Sequence, residues 1–272
     1  MSPAAARGTA AGSAFLRIEG LSLDFPIYHG GARSLKKTML SAASGRLGPA
    51  RSGRDAHPGD VPTGRVVVQA LHDITLSLSS GDRLGIVGHN GAGKSSLLRA
   101  MAGIYEPVAG RVHVGGTLNA LLDPNQGMNI DLTGRENIRL RGRYIGLGSA
   151  AIRHLEDDVQ EFAALGEFLD LPVRVYSSGM VVRLGFGLAT AIAPQVLLMD
   201  EWFMAGDSAF QEKAHARLEN VVQGAEILVL TSHQVAVLKT WCTRMLWLEA
   251  GRVRADGPPD EVIAQYLQAI AH

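Results

Sequence analysis

The chain has 272 residues, 46% of them hydrophobic, with 26 basic side chains against 26 acidic ones. That length holds one large or two small domains with a sizeable core, and the charge balance gives no pull toward nucleic acid or an anionic membrane. One cysteine, Cys242, excludes an internal disulfide, suits a reducing compartment and reads as a small apolar packing residue.

No stretch approaches the roughly 20 apolar residues of a membrane span. The longest candidate, residues 184–193, is short and interrupted by glycine, so the chain is expected to be soluble and to serve a membrane only through a partner. Residues 1–14 lack an apolar signal-peptide core and read as a disordered tail. Residues 15–25, FLRIEGLSLDF, alternate as a strand or strand pair. Residues 29–65 are rich in Gly, Ser, Ala and Pro. They carry Arg33, Lys36, Lys37, Arg46, Arg51, Arg54 and Arg65 against Asp55 and Asp60. Two readings stand for this insertion: a solvated, partly disordered segment, or a basic amphipathic element with a short helix at 34–43 for a membrane-facing partner or phospholipid head groups.

Order returns at Val66, with strands expected at 66–71, 74–78 and 83–87. The last of these runs into RLGIVGHNGAGKSS, residues 83–96. This is G-x-x-x-x-G-K-S/T, with Gly88, Gly93, Lys94 and Ser95 at the fixed positions. Glycines let backbone N–H groups converge on phosphate oxygens, and the following helix adds the positive end of its dipole. Lys94 supplies a full charge at the β- and γ-phosphates, and the Ser95 hydroxyl is a Mg²⁺ ligand. The run Gly88, His89, Asn90, Gly91, Ala92, Gly93, Lys94, Ser95 and Ser96 is therefore expected to bind a nucleoside triphosphate. Leu97, Leu98 and Met101 give the helix an apolar face.

Strands are expected at 110–116 and 118–122. Thr133 and Glu136 form a capping box that opens a helix through Tyr144. Residues 151–165 are helical by period, with Glu156, Asp157 and Asp158 expected to be solvated beside the apolar face. A helix from about 178 is expected to end at Pro194. Residues 195–200, QVLLMD, read as a strand buried on both faces, as in a parallel sheet. A helix (210–223), a buried strand (227–230), a helix (234–241), a strand (244–248) and a last helix (259–271) complete an α/β core.

Two carboxylates, Asp200 and Glu201, end the buried strand. An Asp there holds Mg²⁺ in phosphate-loop NTPases, and the Glu after it is placed to orient and deprotonate the attacking water. Ser177, Ser178 and Gly179 open a helix and offer hydroxyl and N–H groups to an anion. Thr231, Ser232 and His233 follow the next buried strand, and His233 there faces the ligand edge of an open α/β sheet.

Taken in order, the phosphate loop, the Ser-Ser-Gly helix, Leu-Leu-Met-Asp-Glu and Thr-Ser-His resemble the nucleotide-binding subunit of an ABC transporter over residues 15–250. The fold this implies is α/β, a phosphate-loop NTPase core with an antiparallel β subdomain and a helical subdomain at 132–180, followed by a C-terminal helix within 251–272. The resemblance makes residues 176–180 the signature motif, usually Leu-Ser-Gly-Gly-Gln. Tyr176, Ser178 and Met180 depart from that pattern; Ser177 and Gly179 keep it. In the family this motif closes over the γ-phosphate held by a second subunit, so two chains sandwich two ATP molecules head to tail. By the same resemblance Glu201 is the catalytic base, His233 the γ-phosphate switch residue and Asp207 the D-loop aspartate. Phe25, rather than Tyr28, is the aromatic that stacks on adenine. Gln126 is the literal glutamine-loop candidate, while the spacing to Leu132-Thr133-Gly134-Arg135-Glu136-Asn137 suggests Asn129 as a metal-site amide.

Leu132 to Ile138, with Ala205-Gly206-Asp207 and Phe210-Gln211-Lys213, is similar to ATPases that export O-antigen, capsule and teichoic acid. That implies a homodimer on the cytoplasmic face of the cell (inner) membrane, docked to an integral-membrane permease. The exported glycan would not be bound directly, no nucleic-acid partner is implied, and no extra C-terminal carbohydrate-binding domain is expected. The alternatives are a non-transport ABC ATPase acting on ribosomes or nucleic acid, and an importer ATPase, against which the LTGREN stretch argues.

Overall fold

The computed structural model describes residues 13–27, 66–123, 127–200 and 208–270. The expected helix at 34–43, the basic insertion, Tyr28, Gln126, Glu201 and Asp207 lie outside the described residues. Residues 24–69 form a unit of their own, of which the described parts are the end of one strand and the start of the next. The larger unit carries the remaining described residues.

The strands form two sheets, and all of their residues except 24–27 and 66–69 belong to the larger unit. The first is three-stranded, in the order β2-β1-β4, from β1 (Phe15–Ile27), β2 (Val66–Ser79) and β4 (Ala109–Gly115). β1 and β4 run antiparallel, with Phe15 opposite Gly115 and a register shift between Glu19 and Ser22. Residues 66–71 and 74–78, expected as separate strands, are one. Asp73 takes a left-handed φ of 48° inside it and the strand runs on to Ser79. Ala14, expected in the disordered tail, is fully buried, and its N–H donates to Glu226 Oε2 at 3.1 Å.

The second sheet is six-stranded, in the order β5-β6-β7-β3-β8-β9. Its members are β3 (Arg83–Val87), β5 (Leu118–Leu121), β6 (Val196–Met199), β7 (Ile227–Thr231), β8 (Arg244–Glu249) and β9 (Arg252–Gly257). The first five run parallel and β9 is antiparallel to β8. Every residue of β6 and β7 is buried, as their unbroken apolar runs require. β4 and β5, consecutive in the chain, belong to different sheets. β9 is a correction to the sequence reading, which placed no strand between 248 and the last helix.

Helices α1 (Lys94–Met101), α5 (Ser208–Gly224), α6 (Val235–Trp241) and α7 (Pro259–Ile270) accompany this sheet. Three more, α2 (Gly134–Tyr144), α3 (Ser149–Ala163) and α4 (Ser178–Thr190), share a second core around Ile138, Leu155, Val159, Leu169 and Leu184. The capping box at the start of α2 is present. Thr133 Oγ1 accepts from Glu136 N–H at 3.1 Å, and Glu136 Oε2 accepts from Thr133 N–H at 2.8 Å. α4 ends at Thr190, before the expected stop at Pro194. Two acids expected to be solvated are paired. Glu156 accepts from Arg135 at 2.7 Å and Arg139 at 2.9 Å, and Asp158 pairs with Arg217.

Candidate functional site

A parallel sheet carries the C-terminal ends of its strands along one edge. The order β6-β7-β3 therefore puts three chain segments side by side there: Asp200 after β6, Ser232 and His233 after β7, and residues 88–93 after β3.

Residues 88–93 join β3 to α1 as a loop built on glycine. Gly93 is the N-cap of α1 at φ 104° and ψ 5°, a left-handed conformation, and a Cβ there would lie 2.8 Å from the Ala70 carbonyl oxygen. A Cβ on Gly88 would overlap the Leu248 carbonyl. The loop is thus pressed against β8, and Gly251 N–H adds a hydrogen bond of 3.0 Å to the Ala92 carbonyl. Lys94 folds back over it, its Nζ donating to the Gly88 carbonyl at 2.6 Å and the His89 carbonyl at 3.1 Å. Asn90 and Gly91 are exposed, Ser95 and Ser96 half-buried. α1 has no acidic residue in its first turn and no side-chain cap, which leaves the positive end of its dipole to a ligand. Leu97, Leu98 and Met101 are buried and anchor the helix.

Asp200 is half-buried. Its N–H donates to the Leu121 carbonyl at 3.0 Å, and its Oδ1 accepts a short hydrogen bond from the Thr231 hydroxyl. Thr231 is 1% exposed, so β7 braces the carboxylate that ends β6. Ser232 Oγ accepts from Gln234 N–H at 3.0 Å, and His233 is exposed.

At the start of α4, Ser177 is the N-cap, its Oγ accepting from Met180 N–H at 3.3 Å. Ser177, Ser178 and Gly179 are exposed, with no acid in the first turn. Tyr176 has a structural role: its hydroxyl donates to the Phe168 carbonyl at 2.6 Å, and its ring end lies against Gly134. Burial pushes its phenol above the ordinary value.

Asn129 is exposed and holds a turn. Its Oδ1 accepts from Asp131 N–H at 2.9 Å, while its backbone N–H donates to Asn137 Oδ1 at 2.7 Å and its carbonyl accepts from Asn137 Nδ2 at 2.9 Å. Asn137, 2% exposed, is the residue on which this turn is built, and the sequence reading quoted it without giving it a role. Its signal was an amide at a helix position where Ile138 marks the buried face. Phe25 lies near the end of β1 in the smaller unit.

Glycine-rich backbone against a helix start, with a lysine folded over it, fits a triphosphate. Among the described residues, the groups that would hold a metal are the Ser95 hydroxyl, the Asp200 carboxylate and the Asn129 amide, whose Oδ1 also accepts from Asp131 N–H. Such hard oxygens suit Mg²⁺, which keeps waters and takes phosphate oxygens. No group of three or more His, Cys, Asp or Glu among the described residues makes a site for a more fully protein-bound ion.

The family model described as ABC transporter matches residues 71–204. The chain is 40% identical over 239 residues to the O-antigen export system ATP-binding protein RfbE of Yersinia enterocolitica, covering 88% of this chain and 95% of that one. It is 40% identical over 205 residues to the O-antigen export system ATP-binding protein RfbB of Myxococcus xanthus, and 38% identical over 197 residues to the teichoic acids export ATP-binding protein TagH of Lactococcus lactis. It spans 47% and 42% of the length of those two relatives. Among solved structures it matches an ATP-binding subunit of an ABC transporter with a TM-score of 0.64 and 22% identity over 93% of both chains. A dimeric ATP-binding cassette in a post-hydrolysis state with ADP and Pi matches with a TM-score of 0.63 at 16% identity, covering 90% of this chain and 98% of that one. At those identities the likeness carries the fold, which is that of the ABC ATPases.

Proposed function

The chain belongs to the ABC transporter family, and from that premise we propose that it is the ATPase subunit of an exporter of lipid-linked cell-surface polysaccharide. One observation carries the reading: the strand order β6-β7-β3 gathers Asp200, His233 and the loop of Lys94 along one sheet edge. The relatives named for O-antigen and teichoic acid export support the substrate class.

In this mechanism the N–H groups of residues 88–95 and Lys94 hold the triphosphate of ATP. Ser95, Asp200 and Asn129 would hold Mg²⁺, which when bound neutralises charge on the β- and γ-phosphates. Glu201 accepts a proton from water as its oxygen bonds to the γ-phosphorus and the bond to the β-bridging oxygen breaks. His233 contacts the γ-phosphate. The exposed Ser177, Ser178 and Gly179 serve the nucleotide of a second copy, so the active form is a head-to-tail homodimer, with Asp207 at its seam.

No helix among the described residues is long and apolar enough to cross a membrane. The relatives named for export support a separate permease as the partner, with this chain peripheral on the cytoplasmic face. Exposed apolar side chains of the helical part, Ile130 at 60%, Tyr144 at 76%, Leu171 at 44% and Val175 at 57%, are offered to that partner. The exported glycan is not touched by the chain.

The test is ATP hydrolysis by the purified chain beside two variants. Lys94→Ala loses ATP binding by about tenfold or more, the size of a charged hydrogen bond. Glu201→Gln binds ATP, dimerises and does not turn over; hydrolysis at the wild-type rate by Glu201→Gln would overturn its role. Affinity capture from membranes recovers an integral-membrane protein. Recovery of ribosomes or nucleic acid instead would favour the non-transport alternative.

A further inference from the structure

Phe210, Lys213 and Arg217 of α5 are spaced three and four residues apart and so share one helix face. That face meets two helices at once. The Phe210 ring stands edge-on to Phe162 of α3 at 5.4 Å and to Phe186 of α4 at 6.2 Å, and those two rings stack at 5.6 Å. Arg183 of α4 lies 5.2 Å over the Phe210 ring. Lys213 donates to the Glu161 carbonyl at 2.9 Å and the Phe162 carbonyl at 3.2 Å, at the negative end of α3. Arg217 lies 4.4 Å over Phe162, pairs with Asp158, and donates through Nε to Thr190 Oγ1 at 2.8 Å, at the last residue of α4. Phe210 and Phe186 are 5% and 2% exposed, so the contact is dry.

α4 is the helix whose exposed start carries Ser177, Ser178 and Gly179. Its other end and its middle are held on the α5 side by Thr190, Phe186 and Arg183. A helix clamped at its middle and its last turn by rings and guanidinium groups has a fixed aim.

We propose that Phe210, Lys213 and Arg217 are positioning residues that set the aim of α4, and through it the reach of Ser177, Ser178 and Gly179 to the triphosphate held by a second copy of the chain. They touch no nucleotide and act through α4. The inference rests on the reading of the chain as a homodimeric ATPase. It separates two steps: binding of ATP at the copy's own residues 88–95, which the clamp does not touch, and closure of two copies, which it controls.

The experiment compares Phe210→Leu, Phe210→Tyr and Arg217→Gln with the wild type in the full chain. Four quantities are measured: ATP affinity of the monomer, amide hydrogen exchange in α4, the protein concentration at which ATPase activity is half-maximal, and kcat. Phe210→Leu and Arg217→Gln speed exchange at the start of α4 and leave monomer ATP affinity unchanged. They raise the half-maximal protein concentration about tenfold, the size expected for the loss of one aromatic or cation–aromatic pair. Phe210→Tyr keeps the ring and restores all four quantities. Wild-type exchange and wild-type closure in both disrupting variants would overturn the inference, as would a loss of monomer ATP affinity in step with closure. If the wild type does not hydrolyse ATP, the ATPase reading fails, and exchange in α4 still decides whether the clamp exists.

Discussion

The Thr231 hydroxyl, at the end of β7, donates to the Asp200 carboxylate at the end of β6, so the acid proposed to hold Mg²⁺ is fixed by a neighbour that touches no ligand. Thr231→Val keeps shape and burial while deleting the donor. The variant should lose about 1.5–3 kcal/mol of stability in urea denaturation, the value of a hydrogen bond to a charged group. It should also need more Mg²⁺ for half-maximal ATPase activity. Unchanged stability and unchanged Mg²⁺ dependence would show the brace to be idle.

Gly93→Ala asks a left-handed residue at φ 104° to carry a Cβ that meets the Ala70 carbonyl at 2.8 Å. The strain is worth about 1–3 kcal/mol. The measurement is ATP binding by titration calorimetry beside thermal unfolding. Both should fall, because the same conformation presents the N–H groups of the loop.

Gly134 and Tyr176 predict a coupled pair. A Cβ at Gly134 would overlap the Tyr176 hydroxyl and sit 2.9 Å from Leu169 Cδ2. Gly134→Ala alone should be destabilising, and Tyr176→Phe alone should cost about 0.5–1.5 kcal/mol for the lost bond to the Phe168 carbonyl. In the double variant the two losses should sum to less than their parts, because the clashing oxygen is gone. Strict additivity would place the clash elsewhere.

Acid should loosen the helical part through Arg135. Its hydrogen bonds hold the Asp170 carboxyl below the ordinary value. Burial opposes ionisation of Glu156, but donation from Arg139 and Arg135 outweighs it, and its carboxyl is also held down from the ordinary 4.5. A depressed carboxylate contributes stability in full above its unfolded pKa, and loses it as pH falls through the folded one. Wild-type thermal stability should therefore decline as pH drops below about 4.5, the ordinary glutamate value. Arg135→Met should start lower at neutral pH and decline less over that window. Parallel curves would mean that the network is not coupled to protonation.

Local chemistry was legible in the sequence where the partners are close in the chain. The capping box of Thr133 and Glu136, the glycine spacing around Lys94 and the apolar runs of β6 and β7 each need only a few adjacent residues. What escaped depends on residues far apart. Thr231 reaches Asp200 only because β6 and β7 pair in parallel. Glu156 and Asp158 looked solvated because Arg135, Arg139 and Arg217 lie on other helices. β9 was missed because an edge strand shows polar residues on its open face. Yet Arg252-Val253-Arg254-Ala255 alternates, after a turn of two residues with positive φ, Ala250 and Gly251. α4 stopped short of Pro194, with Ala191 as its C-cap, because the proline ring disfavours helical backbone at the residue before it and the helix ends ahead of that position.

Cys242, the chain's one cysteine, is 5% exposed, and burial pushes its thiol up to about 12. Its sulfur lies under Gly85 of β3, the strand that delivers the phosphate loop. An alkylating reagent at neutral pH therefore meets almost no thiolate until that strand lifts. The rate of labelling becomes a clock for opening of the core, read at a residue the protein already has. Because a ligand that binds only the folded chain suppresses opening in proportion to its occupancy, ATP should slow that clock, and Lys94→Ala should leave it running at the ligand-free rate.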